Sequence, residues 1–416
     1  MAAQADDKKR RVLVVSQHYW PEQFRINDIV EGFLDHDIEV DVLCGLPNYP
    51  KGEWYEGYRY TGPRRQNHGG AEVFRCGEIR RKGNTSLRIF LNYCSYPFFA
   101  LFSLPRLRGR KYDAVFCYES SPVMMIFPAI VYAKTHGVPL TTYVLDLWPD
   151  NLYSVLPIQN KLLRKIALGV SRWHYRRCDK LVALSEEQAD LLRAMACTEK
   201  RHPQIAVIPQ YSEDFYAEDR QDEALAARFA GFFNILFAGN ISPAQDLENL
   251  VRAVKLVRAQ QAGKDIQVLI LGDGMSKEDL QATIKAEGME DVFLFCGTVP
   301  ATDIPLWTHF ADGLFAGLSA SENIGMTVPA KIASYLAAGR PLLCAMDGAG
   351  AKAAADSGAA LVSPAGDAAA LAQNILKLQA MDAAARQKMG QAGREYYRQH
   401  YKRNTLLQKL EDFIFA

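Results

Sequence analysis

The stretch from Leu314 to Cys344 combines residues that could bind an anion. An apolar run ends in a small polar loop, and Pro329 then opens a short helix at a position where its missing N–H group costs nothing. A helix start presents unpaired backbone N–H groups and the positive end of the helix dipole, which suit a phosphate. Lys331 in the first turn opposes that dipole, and a bound phosphate would remove the conflict. The alternative is a solvated surface lysine at the start of an ordinary crossover helix.

Asp146 and His18 are side chains of the first half that could act on a proton or line a cleft. Asp146 stands at the end of a predicted strand, where a carboxylate could accept or orient the proton of a hydroxyl. An Asp that caps the turn before Pro149 would explain the same residue, and both interpretations stay open. A lone histidine in a loop is more often a structural hydrogen-bonding group, which is the alternative for His18. The DxD pattern at residues 35–37 lies at a helix-to-strand turn, so no metal site is predicted from it.

Alternating strand and helix patterns would position these residues. Arg11 to Ser16 is a β-branched run, Ile26 to Leu34 has a helical pattern, and Val40 to Leu43 is a second apolar run. This is the spacing of a parallel βαβ unit. The alternation continues and predicts an open parallel sheet wrapped on both faces. The first domain is therefore predicted over residues 10–210, after a disordered leader at 1–9.

The alternation restarts after a polar, acidic passage at residues 211–231, which we predict to be a linker. A second doubly wound domain is predicted over residues 232–392. A helical tail at 393–416 is expected to pack back on the first domain. Open α/β sheets bind ligands beyond the carboxyl ends of their strands, so the two sheets are expected to face each other across a cleft.

Composition excludes several classes of protein. A chain of 416 residues is too long for one ordinary core, and its 49% hydrophobic and 23% charged residues are those of a globular protein. The net charge of +1 argues against nucleic acid as a partner. The eight cysteines form no CxxC pair, so neither a zinc site nor a disulfide framework is predicted, and a reducing cytosol fits. The first ten residues are polar, and no secretory signal is expected there.

Six sequence blocks, in order, resemble those of retaining glycosyltransferases of family 4, which have the GT-B fold. The blocks are RVLVVSQHYWPEQFRIND from Arg11, YVLDLWPDNL from Tyr143, ILFAGNISPAQDLENL from Ile235, ILGDG from Ile270, CGTVP from Cys296 and VPAKIASYLAAGRPLL from Val328. The resemblance covers nearly the whole chain. It is closest to bacterial O-antigen and capsule transferases with FRIND, DLWP and PAK signatures, such as fucosaminyl or N-acetylhexosaminyl transferases. It implies an α/β architecture of two Rossmann-like domains, with the nucleotide-sugar donor on the second and the acceptor on the first.

The resemblance also implies site residues. The loop from Gly239 would lie against the diphosphate, and the GDG and GTV turns would approach the base and ribose, although simple tight turns explain those glycines equally. The implied donor-binding residues are Gly239, Asn240, Gln245, Gly272, Gly274, Gly297, Thr298, Glu322, Pro329, Ala330, Lys331 and Ser334. Asp146 stands where many relatives carry a histidine facing the sugar, and it joins Lys331 as a catalytic candidate. The implied acceptor or cleft residues are His18, Arg25 and Asn27.

Two departures from the family pattern concern the charge of the diphosphate and the ribose contact. Asn240 and Gln245 stand in the loop region where the family usually has an arginine and a lysine. Ser334 stands where the family usually has the glutamate that holds the ribose. Lys331, the helix start and Arg25 are left to meet the diphosphate charge.

Two apolar segments with basic clusters have the composition of a membrane-surface protein. The segment Arg80–Lys111 is aromatic but too interrupted for a spanning helix, and Arg106, Arg108 and Arg110 at its end are expected to contact anionic lipid. The segment Lys161–Lys180 has the pattern of an interfacial helix. The alternative for each is an amphipathic helix that packs on its own sheet with a solvated basic face.

The resemblance therefore implies a retaining glycosyltransferase. It would move an N-acetylated hexosamine or deoxyhexosamine from a UDP-sugar to a polyprenyl-diphosphate-linked saccharide in surface polysaccharide or lipopolysaccharide assembly. It would work in the cytoplasm, peripherally on the inner membrane, without a metal or other cofactor. One alternative is a nucleotide-sugar epimerase or hydrolase of the GT-B fold. The other is a non-catalytic nucleotide-sugar-binding partner of another transferase, which the missing basic pair would favour.

Overall fold

The computed structural model describes residues 9–84, 86–149, 152, 160–260, 265–320 and 328–416. The chain divides into two compact units. The first comprises the chain up to Ile208 together with Leu407–Ala416, and the second comprises Pro209–Leu406. Each unit has its own sheet.

An eight-stranded sheet forms the centre of the first unit. Its strands are β1 (Arg11–Val15), β2 (Glu39–Cys44), β3 (Arg65–His68), β4 (Ala71–Arg75), β5 (Ala114–Glu119), β6 (Leu140–Val144), β7 (Lys180–Ala183) and β8 (Gln204–Val207). Their order is β3-β4-β2-β1-β5-β6-β7-β8, and all neighbours are parallel except β3 and β4. Every residue of β5 is buried, as expected for a central parallel strand that helices cover on both faces.

Five helices of the first unit are described. They are α1 (Ile26–Asp35), α2 (Ser86–Ser103), α3 (Phe127–His136), α4 (Lys161–Tyr175) and α5 (Glu186–Ala196). Local sequence sets their ends: the Asn160 side chain accepts bonds from two backbone N–H groups at the start of α4, and Gly137 ends α3 in the left-handed region. None of the helices in the described ranges is long and apolar enough to cross a bilayer.

The second unit has a six-stranded, fully parallel sheet. Its strands are β9 (Phe233–Ala238), β10 (Ile266–Leu271), β11 (Phe293–Gly297), β12 (Gly313–Gly317), β13 (Leu342–Ala345) and β14 (Ala360–Ser363), in the order β11-β10-β9-β12-β13-β14. Its helices are α6 (Glu223–Arg228), α7 (Leu247–Ala259), α8 (Lys277–Ala286), α9 (Ile304–Phe310), α10 (Ala330–Ala338), α11 (Gly348–Asp356), α12 (Ala368–Ala380) and α13 (Ala383–His400). The predicted architecture of two doubly wound parallel sheets is confirmed.

The last helix, α14 (Arg403–Phe415), begins in the second unit and ends in the first. Within the first unit, the Glu411 carboxylate lies 2.7 Å from Nδ1 of His36. Nζ of Lys180 donates to the carbonyl oxygen of Phe413 at 2.8 Å. The chain therefore passes between the units twice, after Ile208 and before Leu407. Residues 211–231, predicted as a linker, lie in the second unit and include α6.

Candidate functional site

Glycine loops meet at the carboxyl edge of the second sheet. The Gly239 N–H donates to the carbonyl of Leu271 at 2.9 Å, and the Gly272 N–H donates to the carbonyl of Gly297 at 2.8 Å. A Cβ atom on Gly272 would lie 1.9 Å from the carbonyl oxygen of Gly239, and one on Gly274 would lie 2.1 Å from a backbone oxygen. Glycine is thus required where the loops after β9 and β10 touch.

Lys331 reaches from the first turn of α10 into this loop region. Its Nζ donates to Oε1 of Gln245 at 2.7 Å and lies 3.6 Å from the centroid of the Phe237 ring. A Cβ atom on Gly239 would be 3.0 Å from the same nitrogen. Burial lowers the pKa of Lys331 to about 7. Among the described residues no carboxylate pairs with the Lys331 ammonium group.

Helix α10 is fixed to the sheet by a tyrosine hydroxyl. The Oη of Tyr335 accepts a bond from the Ala238 N–H at 2.9 Å, at the end of β9. Ala330 is the first residue of the helix. Pro329, predicted to open the helix, is its N-cap and so lies one position earlier than predicted. Ser334 is nearly buried, and the Ser212 hydroxyl lies 3.1 Å from its own. The side chain at the expected ribose-holding position therefore already has a partner.

The other residues predicted to bind the donor fall into two groups. Asn240 lies beside the turn at Gly274: a Cβ atom added to Gly274 would be 2.6 Å from Oδ1 of Asn240. Gly297 ends β11 and Thr298 follows it directly, at the same edge as the other loops. Glu322 lies outside the described residues. The structure thus brings Asn240, Gln245, Lys331 and the glycines together at one edge of the second sheet.

In the first unit, His18 lies beyond the end of β1 and is held by a carboxylate. Its Nδ1 is 2.8 Å from Oε2 of Glu22, and both side chains are almost fully buried. The other oxygen of Glu22 accepts the backbone N–H groups of Asn48 and Tyr49 at 2.7 and 2.6 Å. Asn27, predicted to line the cleft, instead ties its own loop together: its Oδ1 accepts the Trp20 N–H at 2.9 Å, and its Nδ2 donates to a backbone oxygen.

Asp146 lies two residues beyond β6, at the same carboxyl edge as His18. Burial of Glu119 at the end of β5 raises the pKa of its carboxyl group well above its usual range, and the charge of Asp146 adds to this. Glu119 is fully buried, and neither of its carboxyl oxygens has a hydrogen-bond partner in the described structure. Burial raises the pKa of Tyr118, and the charges of Arg25 and Asp146 act on it in opposite directions. Arg25 and Asp146 are therefore both near one tyrosine.

A buried polar network below this edge was not anticipated from the sequence. The Asn48 amide bonds the Glu78 carboxylate, and Nε2 of Gln17 donates to the side-chain oxygen of Asn92 at 2.9 Å. Burial raises the pKa of Glu78 well above its usual range, and the charge of Glu22 adds to this. The members are 14 to 75 residues apart in the chain, so no local pattern links them. The sequence HYWPE places His18 and Glu22 four residues apart, and this spacing is the one local signal that could have indicated their pairing.

An exposed surface of α2 and α4 carries apolar and basic side chains, and we call it the apolar–basic face. Both helices pack against the turn Val123–Ile126. Its exposed apolar residues are Phe90, Phe98, Phe99, Phe102, Leu162, Leu163, Ile166 and Trp173, and its exposed basic residues include Lys161, Arg164 and Lys165. Arg110, expected to contact lipid, instead forms ion pairs with Asp41 and Glu72. That expectation is wrong for Arg110, because its charge is already neutralised within the unit.

Comparisons with known proteins agree with this arrangement. Residues 23–210 match the family model "Glycosyl transferase 4-like domain", and residues 233–380 match "Glycosyl transferases group 1". A 2-deoxystreptamine glucosyltransferase of Streptomyces kanamyceticus is 27% identical over 56% of this chain, and the match spans 61% of that relative, less than two thirds of its length. WcaI of Escherichia coli K12, a glycosyl transferase named for colanic acid biosynthesis, is 24% identical over 68% of this chain and 71% of its own.

A solved structure extends the likeness to the whole fold. HepE of Anabaena, in complex with UDP, superimposes with a TM-score of 0.67 at 14% identity, over 97% of this chain and 98% of HepE. The first family model begins after β1 and Glu22, and the second includes the Gly239 loop and Lys331. The chain therefore has the GT-B fold, and it matches a glycosyl transferase 4-like domain in its first half and a group 1 glycosyl transferase domain in its second.

Proposed function

We propose that the protein transfers a sugar, with retention, from a UDP-sugar to a polyprenyl-diphosphate-linked saccharide in surface polysaccharide assembly. The sugar is an N-acetylated hexosamine or deoxyhexosamine, on the resemblance of the FRIND, DLWP and PAK blocks to envelope-polysaccharide transferases. HepE, which has the same fold, was solved with UDP and with UDP-glucose, which supports the choice of nucleotide. WcaI, named for colanic acid biosynthesis, supports the choice of pathway class.

Lys331 is the observation that carries the donor assignment. A partly buried ammonium beside a glycine loop and a helix start has no described carboxylate partner, and burial lowers its pKa to about 7. A diphosphate would supply negative charge beside Lys331, and the start of α10 would offer it backbone N–H groups. One lysine from α10 would then take over the role of the basic pair that the loop lacks.

The chemistry follows from charge development. As the bond between the sugar C1 and the diphosphate oxygen breaks, negative charge grows on the leaving UDP and positive charge grows on the sugar. Lys331 stabilises the leaving group more strongly than the bound donor, which is the condition for an effect on rate. The acceptor hydroxyl then bonds to C1 and gives its proton to the leaving phosphate or to Asp146.

The apolar–basic face supports a lipid-linked acceptor and peripheral attachment to the cytoplasmic face of the inner membrane. Phe102 is 68% exposed and Leu162 is 65% exposed, which is costly in water for side chains of this size. Basic residues beside them would attract anionic lipid headgroups. A protein held at the bilayer meets a polyprenyl-linked substrate by diffusion in two dimensions.

The test is transfer of radiolabelled sugar from a panel of UDP-sugars to lipid extracted from bacterial membranes. We expect label in the organic phase with at least one UDP-N-acetylhexosamine, and an α-anomeric product from an α-linked donor by NMR. Label that stays in water as free sugar would identify a hydrolase, and label recovered as an epimeric nucleotide sugar would identify an epimerase. UDP binding without turnover on any lipid would identify a binding partner.

A further inference from the structure

Three aromatic rings form a cluster at the carboxyl edge of the first sheet. The rings of His18 and Phe24 stack, with centroids 4.6 Å apart and planes 5° from parallel. Tyr49 leans on both, at 5.5 Å from His18 and 5.1 Å from Phe24. Tyr49 is 39% exposed, whereas the His18 ring is almost buried. The cluster thus combines a partly exposed tyrosine with a buried imidazole.

Glu22 fixes both ends of this cluster. Its Oε2 lies 2.8 Å from Nδ1 of His18, and its Oε1 accepts the N–H group of Tyr49 at 2.6 Å. A carboxylate cannot donate, so Nδ1 carries the proton of this bond. In a neutral imidazole with its proton on Nδ1, Nε2 is a hydrogen-bond acceptor. No described residue bonds to Nε2. The guanidinium of Arg81 lies 5.3 Å from the centroid of the Tyr49 ring and supports it.

We propose that His18, Phe24 and Tyr49 form the subsite that binds one pyranose ring of the acceptor saccharide. The C–H face of a pyranose packs on the exposed ring of Tyr49, and one of its hydroxyl groups donates to Nε2 of His18. Glu22 is a positioning residue, because it sets the imidazole tautomer without reaching the sugar. The inference rests on the proposed function in one respect, that the first unit binds a saccharide acceptor.

The first measurement needs no variant. Saturation-transfer NMR uses methyl glycosides of glucose, galactose and N-acetylglucosamine at millimolar concentration as probes. We expect at least one of them to bind and to shift the ¹⁵N resonance of His18 Nε2, while Nδ1 carries the proton. Failure of all three to bind, or binding without a shift at His18, would overturn the proposal.

Two variants test the roles separately. Tyr49→Ala should weaken glycoside binding about 3- to 10-fold, whereas Tyr49→Phe should keep it, because the ring and not the hydroxyl carries the contact.

Glu22→Gln keeps the backbone bonds but offers an amide N–H to Nδ1 of His18, so the imidazole proton should move to Nε2. The resulting loss of the acceptor atom should cost about 3- to 10-fold in binding, with the tautomer change visible by NMR. A Glu22→Gln protein with the parent tautomer and parent affinity would refute the positioning role.

Controls separate this inference from the proposed function. Phe232→Ala removes an exposed aromatic ring of the second unit and should leave glycoside binding unchanged. UDP affinity should be unchanged in Tyr49→Ala and Glu22→Gln, and thermal unfolding identifies any variant that has lost its fold. Transfer to lipid by the parent without a His18 shift would refute the subsite alone. Glycoside binding at His18 in a protein that transfers no sugar would refute the proposed function and leave the subsite standing.

Discussion

Lys331 should couple UDP binding to proton uptake. Burial holds the pKa of Lys331 at about 7 in the unliganded protein, so near pH 8 only about a tenth of the molecules carry its charge. A diphosphate beside the ammonium favours the charged form and raises the pKa towards its ordinary value of about 10. Binding near pH 8 should therefore take up about 0.9 proton.

The same linkage fixes the sign and size of the pH dependence. The bound state holds more protons, so UDP affinity is highest below the free pKa and falls as pH rises through it. Between pH 7 and pH 9 the protonated fraction of free Lys331 falls from about one half to about one hundredth, which weakens binding about 50-fold. The terminal phosphate of UDP titrates near pH 6, so its contribution fades above pH 7.5.

Calorimetry in buffers of different ionisation enthalpy measures this proton uptake directly. Lys331→Arg is the matched control, because its guanidinium stays charged and both the uptake and the pH dependence should vanish while affinity is kept. Lys331→Met should bind UDP roughly 10²- to 10³-fold more weakly than the parent near pH 7, with no proton uptake, because a rise in pKa from about 7 to about 10 corresponds to that range. If the parent takes up no proton near pH 8 and binds UDP equally well at pH 7.5 and pH 9, the diphosphate does not contact Lys331.

The remaining predictions concern a carboxylate, a surface and a glycine. Asp146→Asn should unfold at the parent temperature but turn over about 10²-fold more slowly, and normal turnover would leave only the capping role. The double change Arg164→Ser with Lys165→Ser should weaken sedimentation with phosphatidylglycerol vesicles at low salt, and unchanged sedimentation would refute lipid contact by α4. Gly272→Ala should lower the unfolding temperature far more than Gly288→Ala, because only at Gly272 does the new Cβ meet a backbone oxygen; equal losses would contradict this.

Much of the fold was predictable because its signals are local. The helix predicted from Ile26 to Leu34 is observed as Ile26–Asp35, and β1 occupies the predicted β-branched run. Parallel strands buried on both faces read as continuous apolar runs, and glycine or asparagine marks the helix ends. Pro329 is a local signal of the same kind, because it marks the start of α10 to within one residue.

The site was less predictable because its contacts join distant segments. Lys331 and Gln245 are 86 residues apart, and only the folded chain shows that the lysine of α10 reaches the loop that lacks one. In the sequence Arg110 belongs to a basic cluster, but in the structure it forms an ion pair with Asp41, which lies 69 residues away on β2. A basic run does not indicate which of its charges are paired. Asn27 carried a family signature, yet its amide supports the loop at Trp20.

The chain passes between the two units twice, and this limits how the protein can be cut into fragments. A single cut after Ile208 would leave two pieces still bound through residues 407–416, which belong to the first unit. A recombinant fragment that ends at Ile208 would lack the Glu411 partner of His36 and the backbone acceptors of Lys180. A fragment of the first unit should therefore carry the last ten residues as well, fused through a flexible linker after Ile208.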